Sequence, residues 1–343
     1  MKKKLAALAA SIILLMPVLS GCVGATENIG TGDEELYPKM TLRMTVNGTD
    51  IATDTKTAKR FAELVKEASE GNIIIKVFTN DQLAGGNGTK GVEMVAQGAT
   101  EIAAYASSAM SVLDQRLLVG TIPWIFDNYQ QARDVIDASG GAYYGEVLSE
   151  KGLTYMGSVH NGFRQITNSK RPVKSPEDVE GLKIRIPGGE VYMNFWRAFG
   201  ADPVAMSWSE VFTALQQGTI DGQENGFSVT NSANMYEIQK YMTVWNYTYE
   251  NYLFVMNTKK FNELPEATQN LLHEKSLEAC EWGRDMVEEE EKQLIERFRD
   301  YGMEVTELSS EELKPFKAKI TELQAYFIEK YGSEAAEAFG LME

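Results

Sequence analysis

Strand and helix patterns alternate along the first part of the chain, and this alternation constrains the fold more than any other feature. TLRMTVN at 41–47 alternates polar with apolar residues, which predicts a strand. Residues 55–69 carry apolar side chains at helical spacing, and IIIKVF at 73–78 predicts a buried strand. A helix at 90–97 and a strand at 101–105 continue the series. Such alternation predicts an α/β fold.

Helix-capping residues and further strand patterns extend the series toward the C-terminus. Asp54 is a candidate cap for the first helix, and Asp127 or Asn128 for a helix at 128–138. Ser207-Trp208-Ser209-Glu210 has the pattern of a capping box, and Gly218 fits the end of that helix. The later strand patterns are 154–159, 163–167, 183–186, 241–245 and 252–257.

The last third of the chain is helical, and its length bears on the number of domains. The 343 residues suggest two domains. Apolar positions recur at helical spacing from 265 to 301, and an unbroken helix there would be roughly 55 Å long. Either this helix breaks near Gly283, or a single helix lies across two domains.

The N-terminus has the features of an export signal. Lys2, Lys3 and Lys4 precede an apolar run that is shorter than the about 20 residues of a membrane span. The run ends in Leu19-Ser20-Gly21-Cys22, which resembles a bacterial lipoprotein signal in which the cysteine is acylated. We therefore predict a signal peptide at 1–21, lipidation of Cys22, and a flexible stalk at 22–38.

Composition and motifs argue against several classes of function. The net charge of −16 disfavours binding to nucleic acid or to an anionic membrane surface. The two histidines are far apart, so no spacing for a metal site exists, and we predict neither a metal nor a cofactor. The glycine-rich stretch at 83–91 lacks the order of a phosphate loop, and no nucleophile elbow occurs. Cys280 is predicted to be a small buried hydrophobic residue.

The remaining candidates form a binding constellation rather than a catalytic one. Arg185 lies inside a short apolar strand pattern, where a guanidinium needs an anionic partner. Arg164 and Asn225 add hydrogen-bond donors, and Trp208 offers a flat apolar wall. In the alternative, each arginine pairs with a surface acid and Trp208 fills the core. Asp221 and Glu224 could form an acid pair, but their neighbours favour a structured turn.

Three ordered motifs resemble the solute-binding proteins of tripartite ATP-independent periplasmic (TRAP) transporters. They are RQITNSKRPVKSPEDVEGLKIRIPG, FGADPVAMSWSEVFTALQQGTIDGQEN and YEIQKYMTVWN. The match is dense from Arg164 to Asn257 and continues more loosely through the N-terminal half, so it covers nearly all of the predicted mature chain.

The resemblance implies a fold and a site. The fold would be an α/β two-lobed clamp with a long helix spanning both lobes, with lobe I at 39–161 plus about 250–285 and lobe II at 162–249 plus about 286–343. Arg185 falls on the family's main carboxylate-binding arginine and Arg164 on an assisting one. Asn225 falls on an asparagine that reaches the same carboxylate, Trp208 on an aromatic residue that closes over the ligand, and Asn47 on a cleft position of the other lobe.

One departure bears on the ligand. Where sialic-acid-binding members carry a glutamate and an arginine, this chain has YASSAM at 105–110. That argues against sialic acid, while Ser107 and Ser108 could bind sugar hydroxyls. A sugar acid or a C4-dicarboxylate fits better, and the sequence does not choose between them.

The function implied by the resemblance is transport. A monomeric lipid-anchored protein would capture an organic anion by cleft closure and deliver it to TRAP membrane subunits for uptake driven by an ion gradient, without catalysis. Two alternatives stay open: a secreted lipoprotein enzyme on a two-lobed scaffold, and a sensing or adhesin lipoprotein without a transport role.

Overall fold

The computed structural model describes residues 36–342, which fold around two mixed β-sheets. The predicted signal peptide at 1–21, Cys22 and nearly all of the predicted stalk at 22–38 lie outside these residues. Within the described part of the chain, no helix is both long enough and apolar enough to cross a membrane.

The first sheet holds five strands in the order β2-β1-β3-β10-β4. β1 pairs in parallel with β2 and β3, whereas β10 runs antiparallel to β3 and β4. Apolar residues of these strands pack against the neighbouring helices to form one core of the protein. Its strands are β1 Met40–Val46, β2 Ile73–Phe78, β3 Ile102–Ala106, β4 Leu153–Phe163 and β10 Tyr249–Asn257.

The second sheet holds six strands in the order β11-β9-β5-β8-β6-β7. β6 runs parallel to β7 and β8, and β5 runs antiparallel to β8 and β9. The first and second sheets, each with the helices that cover it, are called lobe I and lobe II below. The strands of lobe II are β5 Gln165–Asn168, β6 Lys183–Ile186, β7 Asp202–Ala205, β8 Gly222–Asn225, β9 Tyr241–Val244 and β11 Glu304–Glu307.

Twelve α-helices are found in residues 36–342. Most predicted helices and strands are present within a few residues of their expected bounds. The helices are α1 Thr53–Ala68, α2 Gly88–Ala96, α3 Ser107–Met110, α4 Tyr129–Val135, α5 Gly141–Ser149, α6 Glu190–Ala198, α7 Trp208–Gln216, α8 Phe227–Ser232, α9 Thr258–Asn262, α10 Glu266–Asp300, α11 Ser310–Lys319 and α12 Thr321–Ala338.

Helix α10 is continuous over 35 residues, so a break near Gly283 does not occur. It packs against α1 and β4 of lobe I and against α8 and β11 of lobe II, as a helix spanning both lobes should. A Cβ at Gly283 would lie 2.4 Å from Thr57 Oγ1 and 2.7 Å from Val159 Cγ2. Gly283 is therefore the residue that lets α10 approach α1 and β4 closely rather than a helix terminator.

Two neighbouring connections between strands join lobe I to lobe II. β4 of lobe I continues into β5 of lobe II through Arg164 alone, and β9 of lobe II leads back to β10 of lobe I through residues 245–248. The Arg164 amide donates to the Thr248 carbonyl oxygen at 2.8 Å, which ties the two connections together. Arg164 therefore lies at the hinge between the lobes.

Local capping predictions were partly wrong. Ala52 precedes α1, and Asp54 lies inside the helix, where its buried carboxylate accepts from the Gly48 amide at 2.7 Å. Ser207 precedes α7 but its side chain makes no capping hydrogen bond, so the predicted capping box is absent. Asn128 does cap α4, accepting from the Gln131 amide at 2.9 Å.

The DGQEN stretch was also predicted wrongly. Gly222–Asn225 is the central strand β8 rather than a turn, bonded to β5 on one side and β6 on the other. This places Glu224 in the interior of lobe II, where it is fully buried. Cys280 is buried as predicted, at 1% exposure.

Candidate functional site

A cavity of about 550 Å³ lies between the two lobes and is lined by residues of both. Its walls come largely from the residues at or just after the carboxyl ends of strands. Lobe I contributes Asn47 after β1 and Ala106 at the end of β3, and lobe II contributes Pro187 after β6, Met206 after β7 and Asn225 at the end of β8. In open α/β sheets this edge is where ligands bind, because several strand ends meet there.

Arg185 lies in β6 with its side chain against the cavity, and the residue is 4% exposed. Its Nε and Nη2 donate to the Met206 carbonyl oxygen at 3.0 and 2.8 Å, and its guanidinium carbon lies 5.3 Å from the centre of the Trp208 ring. No carboxylate of residues 36–342 forms an ion pair with it within 4.0 Å. Burial therefore lowers the pKa of Arg185 to about 10.

Arg164 is equally buried but is fully engaged by carboxylates. Its Nε and Nη2 donate to the two carboxylate oxygens of Glu224 at 2.5 and 2.9 Å, and Nη2 also donates to the Glu224 carbonyl oxygen. Its Nη1 donates to Glu250 Oε2. These two glutamates come from different lobes, so the side chain of Arg164 connects β8 with β10 across the hinge. Burial by itself lowers the pKa of Arg164, but the charges of these two glutamates outweigh it and hold the pKa well above its usual value.

The two glutamates are held by further donors. Tyr247 donates its hydroxyl to Glu224 at 2.5 Å, while Glu250 accepts from the Ser108 amide at 2.9 Å and from Asn161 Nδ2 at 2.7 Å. Burial raises the pKa of Glu224, and the bonds from Arg164 and Tyr247 oppose that rise. The Arg164 network is thus a compact group of buried charges in which each carboxylate has several donors.

The predicted site residues are mostly brought together around the cavity. Arg164, Arg185, Asn225, Trp208, Asn47 and Ser108 all line it. Ser107 is buried next to Ser108 but is not among the lining residues. Asn47 donates from Nδ2 to Asp81, whose other oxygen accepts from the Tyr105 hydroxyl at 2.6 Å. Burial raises the pKa of Asp81.

Sequence reasoning missed Glu250, Asn161 and Asp81. Glu250 carries the same signal that marked Arg185, since it is a charged residue inside an apolar and aromatic strand. Asn161 lies near the end of β4, just before the hinge, and has no local signal of its own. Asp81 follows β2 in a stretch of turn residues, where an aspartate is unremarkable.

Few hydrogen bonds link the lobes across the mouth of the cavity. Ser209 Oγ donates to the Gly86 carbonyl oxygen at 2.7 Å, and Thr49 Oγ1 donates to the Ser232 carbonyl oxygen at 3.4 Å. The Glu190 amide donates to Gln115 Oε1 at 3.3 Å. Within residues 36–342 no group of three or more metal-ligating acids, histidines or cysteines occurs. The site offers hydrogen bonds, one cation without a carboxylate partner, and apolar walls.

Comparison with known proteins agrees with this geometry. The family described as bacterial extracellular solute-binding protein, family 7, matches residues 45–330. The 2,3-diketo-L-gulonate-binding periplasmic protein YiaO of Escherichia coli (strain K12) is 32% identical over 248 residues, which are 72% of this chain and 75% of that protein. The C4-dicarboxylate-binding periplasmic protein DctP of Rhodobacter capsulatus is 30% identical over 293 residues, covering 84% and 87% of the two chains.

A solved structure shows the same architecture. The sugar acid binding protein DctPAm from Advenella mimigardefordensis, in complex with galactonate, superposes with a TM-score of 0.85 at 26% identity, covering 89% of this chain and 98% of that one. The family match over most of the chain, the relatives at 30% identity or more and the shared two-lobed fold agree. The chain belongs to family 7 of the bacterial extracellular solute-binding proteins, the solute-binding proteins of TRAP transporters.

Proposed function

We propose that this protein captures an organic acid anion in the cavity between its lobes and delivers it to TRAP membrane subunits. The observation that carries the proposal is Arg185, a buried guanidinium without a carboxylate partner among residues 36–342 that lines the cavity. The named ligands of its relatives, a keto sugar acid, C4-dicarboxylates and galactonate, are all carboxylates.

The ligand's carboxylate docks on Arg185. Its Nη1 donors make no hydrogen bond to the protein in the described residues, and a guanidinium fork fits a carboxylate with two parallel hydrogen bonds. Asn225 and Trp208 line the same cavity. Asn225 donates a hydrogen bond to the ligand, and Trp208 covers the carbon skeleton of the ligand. Arg164 acts mainly as a positioning residue, because Glu224 and Glu250 already take most of its donors.

Cleft closure follows from the position of the cavity. Lobe I comprises 39–161 with about 250–285, and lobe II comprises 162–249 with about 286–343. A ligand that contacts both lobes binds the closed state more tightly and so increases its population. The few direct bonds across the mouth are consistent with this, because at the mouth little besides the ligand then bridges the lobes.

The remaining features of the proposal come from the sequence and from the family. Cys22 carries a lipid that anchors a monomeric protein outside the cytoplasm, and 22–38 is the stalk. The closed form is recognised by the membrane subunits, and an ion gradient drives uptake. Binding involves no covalent chemistry; a turnover assay on the bound acids would detect an enzyme instead.

A four-way titration tests the central contact. A carboxylate ligand and its neutral amide are titrated by calorimetry into the wild-type protein and into Arg185→Ala. Losing one partner of a buried charge pair costs about 2–5 kcal/mol, or roughly 30- to 4,000-fold in Kd. The amide should lose as much in the wild type and little more in Arg185→Ala.

The control is Arg43→Ala. Arg43 is a half-exposed arginine in β1 that pairs with Glu101 outside the cavity, so this change should leave Kd unchanged. Additive losses in the four-way titration would mean that Arg185 does not hold the carboxylate.

A further inference from the structure

The cations around the cavity are few and unequally available. Among the described lining residues only Arg164 and Arg185 are basic, whereas Glu210 and Glu250 are acidic. Arg164 pairs with both Glu224 and Glu250, so these three buried groups together carry one excess negative charge. Among the described residues, Arg185 is therefore the one lining cation without a carboxylate partner within 4.0 Å, and it can hold a single carboxylate.

The side of the cavity formed by lobe I has acids among and behind its neutral side chains. Glu250 lines the cavity beside Ser108 and Asn161 and accepts hydrogen bonds from both. Asp81 lies behind Asn47, whose Nδ2 donates to it. A carboxylate placed at this end of the cavity would face these acids without a cation, and such a juxtaposition of like charges weakens binding.

Two buried polar atoms on this side have no partner. Ser108 Oγ and Asn161 Oδ1 are fully buried in residues that line the cavity, and neither makes a hydrogen bond within residues 36–342. An amide oxygen can only accept a hydrogen bond, and the donation from Asn161 Nδ2 to Glu250 fixes the orientation of this side chain. The Asn161 oxygen therefore requires a hydrogen-bond donor, such as a hydroxyl. An ionised carboxylate cannot meet this need, because it has no proton to donate.

From these charges and unpartnered atoms we infer that the ligand is a hydroxylated monocarboxylate rather than a dicarboxylate. Its single carboxylate binds Arg185 in lobe II, and hydroxyls at its other end bind Ser108 and Asn161 in lobe I. This inference rests on the proposed function and narrows it to sugar acids with one carboxylate. A second carboxylate is rejected because its binding site would be acidic and would leave the Asn161 oxygen without a donor.

Matched pairs of acids test the inference. Erythronate is compared with meso-tartrate, and galactonate with galactarate, since each pair differs only in whether the terminal carbon is a hydroxymethyl or a carboxylate. At about pH 7.5 all carboxylates are ionised. In calorimetric titration, at least one monocarboxylate should bind, and should bind at least about tenfold more tightly than its diacid. A smaller ratio, a tighter diacid, or no binding by either monocarboxylate would overturn the inference.

A variant tests the lobe I end of the ligand. Ser108→Ala removes an unpartnered hydroxyl while keeping the backbone amide that donates to Glu250. It should weaken binding of the monocarboxylate by roughly 2- to 12-fold, the value of one net hydrogen bond. Ser276→Ala, which removes a buried hydroxyl in α10 outside the cavity, should leave Kd unchanged. An unchanged Kd in Ser108→Ala would place the hydroxyl elsewhere and contradict the inference.

The same titrations separate this inference from the proposed function. If succinate or a diacid binds as tightly as the monocarboxylates and loses that affinity in Arg185→Ala, the inference is wrong and the function stands. If the monocarboxylates bind equally well to Arg185→Ala, the assignment of the carboxylate to Arg185 is wrong, and the inference fails with it.

Discussion

Arg164 and Arg185 line the same cavity and are almost equally buried, at 1% and 4% exposure, yet their surroundings are opposite. Arg164 donates to two glutamates, one from each lobe, and its pKa is raised. Arg185 donates to one backbone carbonyl and lies over Trp208, and burial lowers its pKa. The family resemblance assigned both arginines to the ligand, but the contacts divide their roles.

The difference shows how a protein keeps a binding cation available. A buried charge whose partners are all present contributes to the folded structure, and removing it leaves the partners uncompensated. A buried charge that lacks a counter-charge is unfavourable in the empty protein, and an anionic ligand relieves that cost. The Arg164 network holds the hinge, whereas Arg185 has no carboxylate partner among residues 36–342, and we propose that it binds the carboxylate of the ligand.

The largest expected effect is that of Arg164→Met on stability. It leaves Glu224 and Glu250 buried without a counter-ion, so the free energy of unfolding should fall by about 3–5 kcal/mol. Arg185→Met, which removes a cation with no carboxylate partner among residues 36–342, should change stability by less than about 1 kcal/mol. Urea denaturation of both ligand-free variants measures the contrast. Equal losses would contradict the division of roles between the two arginines.

The second prediction extends the comparison to buried carboxylates. Glu291 of α10 accepts from the Tyr129 hydroxyl in the interior of the protein, and desolvation raises its pKa to about 8. The folded protein therefore keeps this proton up to about pH 8, whereas the unfolded chain releases it above about pH 4.5. The contribution of Glu291 to stability is thus largest below pH 4.5 and falls as pH rises toward 8.

Glu291→Gln removes this pH dependence, because a glutamine does not ionise. Relative to the wild type, the variant should gain on the order of 2 kcal/mol of stability between about pH 5 and pH 8. Urea denaturation across this range measures the gain. Glu289→Gln, at an exposed site paired with Lys292, should follow the wild type at every pH. A constant difference between Glu291→Gln and the wild type would mean that Glu291 is ionised throughout.

The third prediction concerns the paired N–H donors of the Arg185 guanidinium. Arg185→Lys keeps a charge but loses the paired donors, so ligand affinity should fall about tenfold near pH 7. Burial also favours the neutral form of a lysine there, so affinity should fall further as pH rises, by at most about tenfold per pH unit. Wild-type affinity should stay flat between about pH 7 and pH 9. Calorimetry at several pH values decides, and a flat profile in Arg185→Lys would show that the lysine stays fully charged.

The smallest expected effect is that of Trp208, whose ring lies over the Arg185 guanidinium. Trp208→Leu should weaken binding by about 0.5–1 kcal/mol, or roughly 2- to 5-fold in Kd. Trp208→Phe should also lose most of the ligand-induced change in tryptophan fluorescence. Trp282→Phe, in the exposed part of α10, is the control and should keep that change. A Trp208→Phe variant with the full change would place Trp208 away from the ligand.

Much of the fold follows from local patterns. The bounds of β2 and β6 agree with the apolar runs that predicted them, and the burial of Cys280 follows from its position in an apolar helix pattern. Asn128 was predicted as a cap because capping involves only the next few residues. The same local rule failed at Ser207, where the side chain makes no capping bond.

The residues around Arg164 could not be predicted in this way. Its partners Glu224 and Glu250 are 60 and 86 residues away, and only the pairing of β5 with β8 and of β4 with β10 brings them together. Gly222–Asn225 has the composition of a turn, and it becomes a strand because β5 and β6 supply hydrogen-bond partners on both sides. Strand pairing outweighed local preference there.

The sequence by itself determined that the chain alternates strands and helices, and that an arginine in an apolar strand needs an anion. The tertiary structure decided which arginine has its anion within the protein, Arg164, and which has no carboxylate partner among residues 36–342, Arg185. It also decided that α10 is continuous, because Gly283 allows the close approach of α1 and β4. The physical reason is the separation along the sequence over which each kind of interaction acts. Spacing patterns describe neighbours within a few residues, whereas ion pairs and helix packing join groups that only the folded chain brings into contact.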